Sequence, residues 1–217
     1  MSRTSRNQVV EALLERHGRT YASEIGVDLS KNTPSPLFRW LCCSILLSAR
    51  ISADIAVEAA RALGKQGWTT PQKMAGSTWE ARARTLNEAG YARYDERTSS
   101  MLGDTSSMLL EKYGGDLRKL RETAGHDPGK ERQLLKECKG LGDVGADIFF
   151  REMQTAWQEL YPFADRRTLQ AAARLGLPDD AKSLARLVPR EGFPRLTAAL
   201  VRVGLARDFD AVAERAA

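Results

Sequence analysis

The stretch KECKGLGDVGADIFF, residues 136–150, sets Gly140, Gly142 and Gly145 in a G-x-G-x-x-G spacing ahead of an apolar run. Two kinds of chemistry use such a bend. In a dinucleotide fold it carries a pyrophosphate between a strand and a helix. Between two helices it bares main-chain N–H groups that can hold a phosphate of a nucleic-acid backbone. An acidic residue, Asp165, follows at about the distance where a dinucleotide fold places its ribose-binding carboxylate.

The flanking elements decide between the two. The residues in front, ERQLLKECK, are mostly charged, unbranched helix formers, with Leu134, Leu135 and Cys138 at helical spacing. β-branched residues are sparse along the chain, and no segment reads as a strand. Without a sheet, the dinucleotide geometry has nothing to form on. Helix–turn–helix remains, with two readings of the bend: a plain αα-hairpin turn, or one open to a phosphate. Gly140 and Gly142 allow backbone conformations closed to other residues, and small Gly145 and Ala146 allow close helix packing.

The apolar period elsewhere is helical too. Val9, Val10, Leu13 and Leu14 mark a first helix that stops at Gly18. Pro36 opens a hydrophobic helix over about 37–48, and Ser52 and Asp54 lead into another closed by Gly64. Thr70-Pro71 and Ser77-Thr78 start two more, the second ending at Gly90, and Asp95 heads a long one. Asp165 opens RRTLQAAARLGLP. The expected architecture is all-α, with about ten helices, most of them short.

The 217 residues suffice for one large domain or two small ones, and 42% hydrophobic with 28% charged residues allows both a core and solubility. The net charge of +5 and pI near 9.2 permit a nucleic-acid partner without demanding one. No apolar run is long enough to cross a bilayer, and the first residues lack the apolar middle of a secretory signal, so an intracellular, cytoplasmic protein is expected. Cys42, Cys43 and Cys138 lack metal-site spacing and read as reduced thiols. Trp40 and Trp157 fit apolar faces, and Asp147 and Glu152 read as members of a solvated helix face.

KGLGDVGADIFF resembles the helix–hairpin–helix of the DNA glycosylase superfamily that includes endonuclease III. PFADRRTLQAAARLGLP looks like that family's segment with the catalytic acid, and FRWLCCSILLSARISADIAVEAARAL is similar to its helix containing L-L-S-A-Q. ARTLNEAGYARYDERTSSML resembles the stretch between them, and all four occur in the family's order. The resemblance implies two helical domains with a DNA cleft between them. One, 30–160, is a six-helix domain with the hairpin near 131–150; the other joins 1–29 to 161–217.

The resemblance also implies roles. Asp165 is the expected catalytic carboxylate, facing the sugar of an extruded nucleotide and stabilising its oxocarbenium-like transition state. Its place at a helix start favours the charged form, although Asp is equally a favoured helix cap. Gly140, Gly142, Val144 and Lys139 are expected at the DNA backbone, with Lys136 and Arg151 as further phosphate attractors. Arg50, where the family has an intercalating glutamine, and Tyr91 are expected to fill the gap left by the base, the alternatives being a surface ion pair for Arg50 and partial core packing for Tyr91. Bifunctional members carry a lysine where this chain has Val144, and the four-cysteine cluster is missing. Valine cannot form a Schiff base. The expectation is therefore a monofunctional, metal-independent glycosylase of base excision repair, acting as a monomer on lesion-bearing duplex DNA. No cofactor is required, although a monovalent cation on the hairpin carbonyls is implied by the relatives. The alternative is a catalytically inactive helix–hairpin–helix DNA-binding protein.

Overall fold

The computed structural model describes residues 3–216, and among them it is all-α, without a strand. Two compact units divide the chain: Ala22–Phe149, and the residues up to Tyr21 together with those from Phe150 onward. The helices in chain order are α1 (Arg3–His17), α2 (Tyr21–Glu24), α3 (Pro34–Leu47), α4 (Ala53–Lys65), α5 (Pro71–Ala75), α6 (Trp79–Leu86) and α7 (Asp95–Tyr113). They continue with α8 (Leu117–Thr123), α9 (Pro128–Leu135), α10 (Asp143–Met153), α11 (Arg166–Arg174), α12 (Ala181–Ala185), α13 (Phe193–Ala206) and α14 (Phe209–Arg215). The divisions fall inside α2 and α10, whereas the sequence placed them at 29/30 and 160/161.

Local signals start these helices. The Ser52 hydroxyl accepts the Ile55 N–H at 3.3 Å, Thr78 accepts from Ala81 at 3.1 Å, and Asp127 accepts from Lys130 at 2.8 Å. Each satisfies one of the N–H groups that a helix start leaves over. Gly64 does not stop α4; the helix runs to Lys65 and the chain turns at Gly67, with φ 81°. A glycine breaks a helix only where a left-handed backbone is used, and Gly64 keeps helical geometry under the Arg39 side chain.

In the Ala22–Phe149 unit, α5 and α6 pack on α7, and α3 packs on α4 and α8. Trp40 is wholly buried on α3, and its indole N–H donates to Phe149 O at 3.0 Å. Buried Arg82 is satisfied by the carbonyls of Ser99 (3.1 Å), Met74 (3.2 Å) and Ser77 (2.7 Å), joining α6 to its neighbours. The other unit is built on α13, against which α1 and α11 pack, with α14 on α1. Its core runs from Val9 and Leu13 through Ala172, Leu184 and Phe193 to Leu200 and Val212.

Candidate functional site

The bend between α9 and α10 has two glycines with different tasks. Gly140 has φ 85°, and a Cβ there would stand 2.7 Å from Met101 Sδ and 3.0 Å from Ile45 Cγ2. It is required on both conformational and steric grounds. Gly142 has open space around it and no unusual φ. Its role is bareness. At Gly145 a Cβ would meet the Leu141 side chain at 2.8 Å, which is the close packing expected there. Hydroxyls on the neighbouring helices pin the turn: Thr105 Oγ1 donates to Lys139 O and Ser48 Oγ to Gly140 O, each at 3.2 Å.

Ala146 N–H is the first in α10 to bond back, to Gly142 O at 2.9 Å. The N–H groups of Asp143, Val144 and Gly145 are therefore the unsatisfied start of an eleven-residue helix. Val144 lies 47% exposed on this end. The charges nearby sort themselves. Lys136 binds Asp143 at 2.7 Å, which together with Arg132 holds the Asp143 carboxyl below its ordinary range. Arg132 also takes Asp147 at 2.6 Å. The acid at the hairpin is thus already neutralised, and the Lys139 ammonium is exposed with no ion-pair or hydrogen-bond partner among the described residues.

Beside the turn, inside the same unit, is a cavity of about 690 Å³. Its walls include Arg50, Tyr94, Arg97, Met101 and residues Lys136–Gly142. Arg50 is exposed on it, and its side chain has no partner among the described residues. Tyr91 corrects the sequence reading. It is wholly buried, and its hydroxyl donates to Leu46 O at 3.0 Å. Burial pushes that hydroxyl up to about 12. It is a core residue that backs the cavity wall, held against α3 by that hydroxyl. Burial likewise raises the thiols of Cys42 and Cys138, and all three cysteines are buried and outside any disulfide.

Asp165 belongs to the other unit, and its surroundings are of another kind. It caps α11: Oδ1 accepts the Thr168 N–H at 2.9 Å and the Thr168 hydroxyl at 3.2 Å. Oδ2 accepts Arg151 Nε at 2.9 Å and a second, closer bond from Arg151 Nη2. Both side chains are sealed, at 3% and 4% exposure. Arg151 is therefore no phosphate attractor; it is the buried partner of the expected catalytic acid. Gln154 fastens the intervening loop, donating to Phe163 O at 3.0 Å and accepting its N–H at 2.9 Å. Glu152, read as solvated, is buried and accepts the Tyr21 N–H at 2.8 Å. A helix-face reading missed both because the last turns of α10, residues 148–153, are buried on every side. The one available signal was acid and base spaced 14 residues apart across a loop.

The arrangement bears on chemistry directly. A carboxylate that stabilises a sugar cation must present a free oxygen to it. Here each oxygen already accepts two bonds from the protein. No helix among the described residues is long and apolar enough to cross a membrane, and no His, Cys, Asp or Glu cluster there could hold a metal ion.

Two solved structures resemble the chain. One is a non-covalent endonuclease III–DNA complex, at a TM-score of 0.50 and 18% identity over 79% of this chain and 73% of that one. The other is a trapped endonuclease III–DNA covalent intermediate, an estranged-adenine complex, at 0.49 and 18% over 76% and 73%. The fold is that of endonuclease III. No protein-family model and no curated protein matches the sequence. On the endonuclease III fold this chain puts exposed Val144 at the head of α10, buried Tyr91 in the cavity wall and an ion-paired Asp165 at the head of α11.

Proposed function

We propose that this protein binds duplex DNA through the Lys139–Val144 hairpin, as a DNA-repair protein of glycosylase fold, and that Asp165 is a structural ion-pair partner. The observation that carries the proposal is the α10 start: three unsatisfied N–H groups behind a bare Gly142, with unpaired Lys139 beside them. A phosphate oxygen meets donors and positive charge there without displacing a side chain. The solved structure matched at a TM-score of 0.50 is a non-covalent DNA complex, which supports the same partner. The carbonyls of Lys139 and Gly140 each accept one hydroxyl and keep a second lone pair. They are the groups that would hold a monovalent cation in the hairpin, where it would add positive charge to the phosphate grip.

The test is duplex binding by fluorescence anisotropy, with Val144→Glu as the probe. Val144 is exposed, so the variant folds, and its carboxylate opposes a phosphate at the helix start. Affinity should fall about tenfold. Unchanged affinity would remove the hairpin from the interface.

A second reading is monofunctional base excision at Asp165. What favours it is that Asp165 stands at the head of α11, where the resemblance puts the catalytic acid. It requires the Arg151 pair to open, freeing Oδ2 to face the sugar. Release of free base from a panel of lesion-bearing duplexes, abolished in Asp165→Asn with DNA binding kept, would establish that reading. Binding without release from any duplex supports the structural role. With Val144 in place of the family lysine, borohydride should trap no covalent adduct on abasic DNA.

A further inference from the structure

The 690 Å³ cavity beside the hairpin holds more charge than a grip on one phosphodiester needs. Its walls come from the end of α3 and the loop after it, from the start of α7, and from the glycine turn, all within one unit. Three cations on it, Arg50, Arg97 and Lys139, are exposed, and their charged groups have no partner among the described residues. The other charges cancel locally: Lys136 is taken by Asp143, and the wall's acid, Glu137, is taken by Lys112 at 2.7 Å. A net charge of about three units therefore faces one space. A bridging phosphodiester carries one negative charge. A terminal phosphomonoester carries about −1.5 to −2 at neutral pH and has three acceptor oxygens. The volume lies in the range of small-molecule sites, roughly 300–1,000 Å³. Half-buried Tyr94, with Met101 and Ile45, supplies apolar wall against which a base can stack.

We infer that this cavity receives a nucleotide ending in a phosphomonoester, the phosphorylated terminus of a DNA strand break, with Arg50, Arg97 and Lys139 on the phosphate and Tyr94 against the base. The inference rests on the DNA-binding reading above for the source of the nucleotide, but not for the cavity's chemistry. Guanidinium groups match the phosphate's oxygens in paired fashion, and a hydroxyl terminus would leave them unneutralised.

The experiment measures anisotropy on duplexes with a one-nucleotide gap whose ends carry a 5′-phosphate or 5′-hydroxyl, and a 3′-phosphate or 3′-hydroxyl. One phosphorylated end should bind about tenfold tighter than its hydroxyl counterpart. Arg97→Ala, an exposed change outside the hairpin, should erase that preference while altering intact-duplex affinity less than about threefold. In parallel, calorimetry compares dAMP with deoxyadenosine, and only dAMP should bind. Equal affinity for phosphate and hydroxyl ends, with no dAMP binding, overturns the inference while intact-duplex binding keeps the hairpin reading standing. A preference that survives Arg97→Ala also overturns it, since the phosphate then sits elsewhere. Binding of dAMP without any duplex binding supports the cavity with free nucleotide as the source, and removes the hairpin reading instead.

Discussion

The hairpin and the head of α11 are both helix starts, and both carry residues that the glycosylase resemblance singles out, yet they are finished in opposite ways. At α10 no side chain among the described residues caps the N–H groups of residues 143–145, Gly142 is bare and the Lys139 side chain has no partner there. At α11 the Asp165 side chain caps the helix, pairs with Arg151 and is sealed from solvent. A helix start left open has its dipole and donors available to an outside anion; one closed by its own carboxylate has spent them internally. This contrast is the basis for proposing recognition at the first and stability at the second.

The largest effect expected from this contrast is at the closed end. Arg151→Met should cost about 3–5 kcal/mol in urea unfolding, because it leaves the Asp165 carboxylate buried and unpaired. The double variant Arg151→Met/Asp165→Leu should recover part of that loss, and neither should change duplex affinity per folded molecule. A stability loss below about 1 kcal/mol for Arg151→Met would show that Asp165 is not held as described.

Next are the two glycines of the open end. Gly140→Ala should cost about 2 kcal/mol or more, from a left-handed backbone and contacts with Met101 and Ile45 that have no room. Gly142→Ala should cost about 1 kcal/mol or less in stability, and its chief effect should be on DNA affinity. Equal destabilisation by the two would erase the distinction between required and bare glycine.

Tyr91→Phe should cost about 1 kcal/mol by removing the hydroxyl bond to Leu46 O, which keeps only the longer one from Ala49 N–H at 3.4 Å, with no change in duplex affinity. It should also change the alkaline limb of stability. Burial raises the Tyr91 hydroxyl from 10.0 to about 12, so the fold favours the neutral form. That contribution is complete below about pH 10 and is lost as pH rises toward 12. Stability measured by circular dichroism should therefore fall less steeply over that window in Tyr91→Phe than in the parent protein.

The smallest effect on stability belongs to Lys139→Ala, within about 0.5 kcal/mol, since the side chain is exposed and unpaired. Its effect should appear in the salt dependence of duplex binding, with a slope lower by about one. An unchanged slope would place Lys139 off the phosphate.

Much of the architecture was legible before any coordinates. Ser52, Thr70, Thr78 and Asp165 each cap the helix that follows, as their types and positions indicate. The glycine bend lies between two helices with Gly145 packed closely, and Trp40 and Trp157 are buried. These features rest on interactions within a few residues of chain, or on a 3.6-residue period, and so they are written locally. Gly64, Tyr91, Arg151 and Glu152 were not legible in the same way. Each has a residue type that suits two environments, and the environment is set by elements distant in sequence.

The amino-acid order alone was enough for an all-helical chain, for its caps and for a glycine turn able to present bare amides, because backbone sterics and short-range hydrogen bonds act along the chain. Whether a given carboxylate or phenol faces solvent or is enclosed was settled by packing. Asp165 meets Arg151 only once α10 has bent round through the Gln154–Phe163 loop to α11, and Tyr91 finds Leu46 O only once its turn has closed against α3. Long-range contact of this kind decides which polar atoms are already satisfied, and thereby which remain to bind something else.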